Sequence, residues 1–240
     1  MGLHHVSLAG REVIAEGSMA FHIAKPEAFS FKPGQAIDLI LPGLAESDAL
    51  NSRHAFSLVS APCEDRLTIA TRMRDSPYKR ALGALADGAP LQIDGPFGSL
   101  TLHNKRARPA VFIAGGIGIT PFVSILRQAA KDRLAQRFVL LYSNRRPQDA
   151  AFLGELQSLQ AQMEDFRLVA TMTEAGPALE SWTGATGMID AQLLRREMAD
   201  LASPIYYLAG PPVMVTAMRE LLNSIGVDDD DIRSEDFYGY

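Results

Sequence analysis

The sequence predicts an antiparallel β-barrel followed by an α/β unit with a parallel sheet. Three observations carry this. Up to about Arg108, short alternating stretches are broken by Gly and Pro; from Pro109 on, short apolar runs alternate with amphipathic helical stretches; and the change falls at the polar segment His103–Pro109. Period-two alternation between turn signals marks short antiparallel strands, hence a barrel or sandwich. Buried strands alternating with helices mark a parallel sheet covered on both faces. The predicted domains are therefore 1–106 and 107–240.

In the first part the expected strands are Gly17–Ile23, Gln35–Leu41, Phe56–Ser60, Leu67–Arg72 and Pro90–Ile93, with a short helix at Tyr78–Ala86. In the second part the expected strands are Ala110–Ala114, Phe138–Tyr142, Leu168–Thr171 and Ile205–Leu208. Helices are expected at Thr120–Lys131, Ala150–Met163, Ala191–Leu201 and Val213–Ile225.

Composition narrows the function classes. The 240 residues are 47% apolar and 21% charged, an ordinary balance for a globular protein. The net charge of −5 argues against a duplex nucleic-acid binder. Residues 1–109 carry 12 basic and 11 acidic groups, and residues 110–240 carry 11 and 17, so the acidity belongs to the second part. The stretch Arg66–Arg80 holds five basic residues and one acid, Asp75. It reads either as a solvated strand edge or as a site for an anionic cofactor or acidic partner. The single cysteine, Cys63, excludes an internal disulfide, a cysteine-ligated zinc and an iron–sulfur cluster held by this chain. Cys63 itself is expected to be a small packed residue. Met1–Ala9 lacks the charge and apolar pattern of a secretory signal, and no apolar run approaches the ~18 residues of a membrane span. The expected location is the cytoplasm.

The sharpest motif is Ala114–Pro121, AGGIGITP, where a buried strand turns into a helix. Glycines allow a tight turn and close approach to a ligand, and the helix start offers free N–H groups to phosphate. Pro121 suits the first helical turn but stands where a dinucleotide fingerprint has its third glycine. A second strand–turn–helix, Leu208–Met214 (LAGPPVM), falls at the same edge of the predicted sheet, where open parallel sheets bind ligands. In His54–Pro62 (HAFSLVSAP), Phe56 and Ser57 point to opposite sides of a strand and offer an aromatic face and a hydroxyl. The tail Glu235–Tyr240 (EDFYGY) is rich in aromatics and is expected to be docked. Asp228–Asp231 lacks calcium-loop spacing and reads as a solvated loop, and Trp182 as a packing residue at a loop.

The order of these motifs resembles the ferredoxin–NADP⁺ reductase superfamily over nearly the whole chain. The family's Arg-x-Tyr-Ser is similar to His54–Ser57, its Gly-Gly-x-Gly-x-x-Pro to Gly115–Pro121, its Cys-Gly-Pro-Pro to Ala209–Pro212, and its Phe-x-Pro-Gly-Gln to Phe31–Gln35. The resemblance implies a flavin-binding barrel, a nicotinamide-nucleotide domain, and hydride transfer from NAD(P)H to flavin. It further implies single-electron delivery to a separate acceptor: ferredoxin, flavodoxin or an oxygenase component. The alternatives are a flavin reductase that releases reduced flavin and a non-enzymatic redox sensor. FAD is expected rather than FMN, because most relatives use it.

Carried over by position, the resemblance implies a flavin site formed by Arg53, His54, Ala55, Phe56, Ser57, Thr71, Arg72, Met73, Ser76, Pro77 and Tyr78. Phe56 would lie against the flavin and Ser57 near its hydride-accepting nitrogen. Gly115, Gly116, Gly118, Thr120, Pro121, Gly210 and Pro211 would face the nicotinamide nucleotide. Glu235 and Phe237 resemble the family's terminal Glu-x-Tyr and join Ser57 as the catalytic set. Two departures matter. The family arginine falls at His54, so either a strand bulge delivers Arg53 to the flavin phosphate, or His54 and the Arg72/Arg74 segment serve instead. Ala209 replaces the family cysteine. Ser143 with Arg145 is placed to hold a 2′-phosphate, yet Thr171–Thr173 lacks the Ser-Arg of NADPH-preferring relatives, so NADH and NADPH stay open.

Overall fold

The structure is a computed structural model that describes residues 2–42, 52–174, 176 and 181–238. It divides into two compact units, one of residues 1–101 and 120–128, the other of residues 102–119 and 129–240. The sequence-based boundary at 106/107 lies a few residues inside the second unit. A single cut there also leaves out the helical segment 120–128, which belongs to the barrel unit.

The first unit is an antiparallel sheet of six strands: β1 (Gly2–Ala15), β2 (Ser18–Ala24), β3 (Ala36–Ile40), β4 (Arg53–Ser57), β5 (Arg66–Arg72) and β6 (Pro90–Phe97). Their order is β4-β3-β6-β1-β2-β5. The two outer strands meet through the Leu58–Ile69 bridge and the Val59 N–H to Thr68 carbonyl bond of 2.8 Å, which closes the sheet into a barrel. Closure removes the exposed edge that a flat sheet would present. Long β1 makes the barrel possible, since Gly2–Ser7 pairs with β6 and Leu8–Ala15 with β2, with a register shift between Leu8 and Gly10. The sequence reading missed this strand because GLHHVSLAGREVIA does not alternate cleanly. Strand β4 begins at Arg53, three residues before the predicted Phe56.

Phe21, Ile37, Leu39, Leu58, Leu67 and Ile93 fill the barrel. Helix α1 (Pro77–Ala84) plugs it through Tyr78 and Leu82. Segment 120–128 is tied to the same unit by Ser124, whose hydroxyl donates to the Ser60 carbonyl at 2.7 Å, and by the Arg127–Glu64 ion pair at 3.3 Å. The expectation that Cys63 is packed is corrected: it is exposed, on the turn after Pro62.

The second unit is an all-parallel sheet of β7 (Ala110–Gly115), β8 (Phe138–Asn144), β9 (Phe166–Met172), β10 (Ala185–Thr186), β11 (Ile205–Gly210) and β12 (Ile232–Asp236). The strand order is β10-β9-β8-β7-β11-β12. Every residue of β7 and of β11 is buried, as strands covered on both faces must be. The connecting helices are α2 (Thr120–Asp132), α3 (Leu153–Gln162), α4 (Ala191–Met198) and α5 (Pro212–Ser224). Asp190 caps α4 by accepting from the Leu193 N–H at 2.8 Å, and a proline occupies the first turn of α2 and of α5.

Strand β12 was not predicted. It begins after Asp228–Asp231, a short 3₁₀ turn whose first three residues are exposed, in keeping with the solvated loop expected; within it Asp229 pairs with Arg219 at 2.7 Å and Asp231 with Arg108 at 2.6 Å. These ion pairs fix the approach to the last strand. The Trp182 indole donates to the Ala185 carbonyl at 2.9 Å, in keeping with a packing role. Gly239 and Tyr240 of the aromatic tail lie outside the described residues.

A buried polar cluster sits where the second unit begins. His103 Nδ1 lies 2.7 Å from the Tyr207 hydroxyl, and its Nε2 lies 3.1 Å from the Arg108 carbonyl and 3.0 Å from Gln136 Nε2. Burial, aided by the nearby Arg233 charge, holds the imidazole below its ordinary pKa. As pH falls past the ordinary histidine value of ~6.5, the unfolded chain takes up a proton that the folded chain resists, so stability is lost on acidification. Thermal melts from pH 8 to pH 5 should show Tm falling most steeply below about pH 6.5. His103→Gln should be less stable at pH 8 and show a shallower acid slope; an equal slope in both proteins would rule His103 out as the titrating group.

Candidate functional site

On the barrel, β4 pairs with β3 in unbroken register from Ala36–Ser57 to Ile40–Arg53. Alternation puts Arg53, Ala55 and Ser57 on one side and His54 and Phe56 on the other. There is no bulge in this pairing, which corrects the route proposed for Arg53. Its guanidinium is taken by two carboxylates of neighbouring strands, Asp38 and Asp94, each at 2.7 Å. Those two hydrogen bonds hold Arg53 firmly protonated.

On the opposite side, Tyr78 meets both His54, with ring centroids 4.0 Å apart, and Phe56, stacked at 6.1 Å. The Tyr78 hydroxyl donates to the Leu39 carbonyl at 2.9 Å, and burial raises its pKa. Lys79, next in sequence, turns its ammonium inward to donate to the Thr71 hydroxyl, 4.8 Å from the centre of the Phe56 ring. Burial lowers its pKa to about 8. Sequence reading placed Lys79 only within a basic stretch, and its helical position facing the barrel was the signal to separate it. Ser76 caps α1 by accepting from the Lys79 N–H at 3.2 Å, and Pro77 follows at the helix start. Arg72 and Met73 are half-buried, and the Met73 N–H donates to the Gly17 carbonyl at 2.7 Å. Ser57 is buried at the end of β4. The chemistry gathered here is a buried aromatic group, a desolvated ammonium and hydroxyls, a set that fits a planar cofactor carrying a diphosphate.

In the second unit the sequence-selected residues gather at the carboxyl ends of the strands. Strand order reverses about β7, whose two neighbours are β8 and β11. Ligands bind outside such a switch point. The turn after β7 is a one-turn 3₁₀ helix, Gly116–Ile119, and Gly116 has φ of +53°. Gly118 lies so close to β11 that an added Cβ would overlap the Ala209 carbonyl and stand 2.7 Å from Gly210 Cα. A Cβ on Gly115 would strike Met214 and come within 3.1 Å of Pro211, and one on Gly210 would lie 3.1 Å from the Gly115 nitrogen. Gly115, Gly118, Gly210 and Pro211 thus form one cradle of bare backbone. Thr120 and Pro121, which open α2, are buried and belong to the barrel unit.

Beside the cradle, β8 ends in half-buried Ser143 and in Asn144, which is 5% exposed. Both polar atoms of the Asn144 amide are buried and have no hydrogen-bond partner among the described residues. An orphaned amide of this kind is costly unless something else satisfies it. A nicotinamide nucleotide fits this edge, with bare backbone for close approach and an unsatisfied amide beside it. Asn144 was missed by sequence reading, which stepped from Ser143 to Arg145. Arg145 itself pairs with Glu174 at 3.1 Å. On the other side of the cradle, Glu235 pairs in register with Ala209, and the Phe237 N–H donates to the Gly210 carbonyl at 2.9 Å. Burial raises the Glu235 carboxyl above its ordinary pKa.

A barrel with a buried aromatic group, joined in sequence to a parallel sheet with a glycine cradle at its switch point, defines a class of two-part nucleotide-dependent oxidoreductases. Residues 112–220 match the oxidoreductase NAD-binding domain family. Ferredoxin–NADP reductase B of Sorangium cellulosum is 31% identical over 210 residues, covering 85% of this chain and 83% of that protein. The chain belongs to the ferredoxin–NADP reductase family. The reductase component of propane 2-monooxygenase from Rhodococcus jostii is 32% identical over 222 residues, 89% of this chain and 57% of the relative. The chain thus spans about three fifths of the length of such monooxygenase reductase components. In fold it is similar to a ferredoxin NADP⁺ reductase from Neisseria gonorrhoeae solved with FAD and NADP, with a TM-score of 0.81, 23% identity and 98% of each chain covered.

Two outcomes follow from this geometry. Gly118→Ala should cost roughly 2–3 kcal/mol, because its Cβ meets backbone that cannot rotate away; denaturant unfolding measures this, and a loss under ~0.5 kcal/mol would show that the turn relaxes freely. Glu235 has a raised pKa, so its burial carries no penalty below the ordinary carboxyl range and a growing one as pH rises through the raised value. Glu235→Gln should therefore raise Tm at pH 8, and the gain should vanish towards pH 4.

Proposed function

We propose that this chain is a flavoprotein reductase. It takes hydride from NAD(P)H onto a flavin, FAD in preference to FMN, and passes single electrons to a separate acceptor. In this reading residues 1–106, completed by the helical segment 120–128, form the flavin-binding domain, and the rest of 107–240 forms the nucleotide-binding domain. The observation that carries it is the glycine cradle at the switch point of the parallel sheet, with the orphaned Asn144 amide beside it.

A bound flavin supplies an acceptor for two electrons that can leave one at a time. The protein's part is to bind, orient and shield. Lys79, Ser76 and the start of α1 bring positive charge and donors to a diphosphate, with Thr71, Arg72 and Met73 lining the approach. Arg53, matched by Asp38 and Asp94, is better suited to ordering β3, β4 and β6 than to meeting phosphate. His54 and Phe56, backed by Tyr78, offer the ring surface, and the Ser57 hydroxyl is the donor for a ring nitrogen. Gly115, Gly116 and Gly118 present backbone N–H groups to the nicotinamide nucleotide, and Gly210 and Pro211 bound the pocket. Glu235 holds a proton at its carboxyl more readily than an exposed glutamate, and Phe237 provides a shielding ring.

Two relatives named as monooxygenase reductases and one named as a ferredoxin–NADP reductase support an acceptor that is a ferredoxin or an oxygenase component, and a flavodoxin is the further acceptor in this reading. No helix among the described residues is long and apolar enough to cross a membrane. A cytoplasmic location is part of the proposal.

The protein should purify yellow or take up FAD, retain it through gel filtration, and reduce ferricyanide with NADH or NADPH. Ser57→Ala should keep the flavin and slow its reduction by roughly 10–100-fold in anaerobic stopped-flow mixing. A protein that stays colourless after FAD and FMN are added overturns the reading.

A further inference from the structure

We propose that Glu174 makes the nucleotide site selective for NADH over NADPH. The inference rests on the reductase reading and deepens it. Strands β8 and β9 are parallel neighbours, and their ladder runs on past β9: the Thr173 N–H donates to the Asn144 carbonyl at 2.9 Å and the Glu174 N–H to the Arg145 carbonyl at 3.0 Å. That backbone register sets the Glu174 carboxylate beside both arginines at the end of β8. Its Oε1 accepts from Arg145 at 3.1 Å, and its Oε2 lies 3.6 Å from Arg146 Nε. Arg146 is in turn gripped at two points by Asp149, at 3.0 and 2.9 Å.

Two guanidinium groups therefore face two carboxylates, and the cluster sums to no formal charge. A 2′-phosphate brings about −1.5 to −2 charges at neutral pH. To use Arg145 it must displace Glu174 or sit against it, and like charge that close is repulsive. A ribose 2′-hydroxyl has no such conflict and can donate to a carboxylate. Oε2 is buried beside Arg146, so the oxygen left to meet a ligand is Oε1, which accepts from Arg145 and keeps a second lone pair. The side chains of Arg145 and Glu174 are 64% and 41% exposed, so a ligand can reach the pair and the pair itself is weak. Selectivity then comes from the carboxylate's charge and not from the strength of the ion pair. The arginine that sequence reading reserved for a 2′-phosphate is thus already matched by a residue on the next strand.

The test is calorimetric binding of ADP-ribose and of 2′-phospho-ADP-ribose to the full chain, without turnover. The wild type should bind ADP-ribose at least about tenfold tighter, and Glu174→Gln should shift the ratio of affinities about tenfold towards the 2′-phosphate form, chiefly by strengthening that ligand. Glu174→Gln keeps the size of this half-buried side chain, and an unchanged melting curve verifies its fold. Equal or tighter binding of the 2′-phosphate form by wild type, or a ratio unmoved in Glu174→Gln, overturns the selectivity and leaves the reductase reading standing. Binding of neither ligand overturns the nucleotide site itself and the selectivity with it.

Discussion

Gly118 has no room for a side chain, and the second unit is arranged around that fact. Strand β7 lies between two parallel neighbours, and the turn that leaves it must pass directly over the Ala209 carbonyl near the end of β11. Any Cβ there would lift the turn and move every N–H group at the start of α2. Since β7 and β11 are buried along their whole length, neither strand can slide aside to make space. The positions of Gly115, Gly210, Pro211 and Phe237 follow from this one approach, because each touches or bonds to backbone that it fixes.

A second theme is how the chain spends its arginines. Arg53 is held between Asp38 and Asp94, Arg146 by Asp149, and Arg145 by Glu174. Each stands where a sequence motif invites an anion, and each is met by a carboxylate from a neighbouring strand or loop. Lys79 differs: its ammonium meets the Thr71 hydroxyl and the Phe56 ring, and burial weakens its hold on its proton. A desolvated ammonium without a carboxylate is a stronger attractor for phosphate than an arginine already paired.

Much of this was readable from sequence. The parallel strands and their helices were legible because fully apolar runs and 3.6-residue periodicity are local signals. The cradle was legible because three glycines after a buried strand have few other uses. The strand β1 was not, since its middle carries Gly10 and Arg11 and its two halves pair with different partners. Strand β12 was hidden behind four aspartates, of which Asp231 is paired with Arg108, far away in sequence, and Asp229 with Arg219 on the preceding helix. The same limit explains the site. Arg53 and Arg145 were visible, but Asp38, Asp94 and Glu174 become their partners only through strand pairing. The orphaned amide of Asn144 is a property of its surroundings, and nothing in the residue itself announces it.

The helix that begins at the glycine turn gives its first nine residues, 120–128, to the barrel unit and its remainder to the other. The hydroxyl of Ser124 satisfies a barrel carbonyl, and Ile125 approaches the position of Gly34. The barrel is therefore built from two separate lengths of chain. Expressed as a fragment that stops at residue 106, it would expose an apolar face and leave the Ser60 carbonyl without its donor. In synthesis order, too, the barrel is not finished when its last strand leaves the ribosome. It must wait for the opening turns of a helix encoded after the first strand of its neighbour.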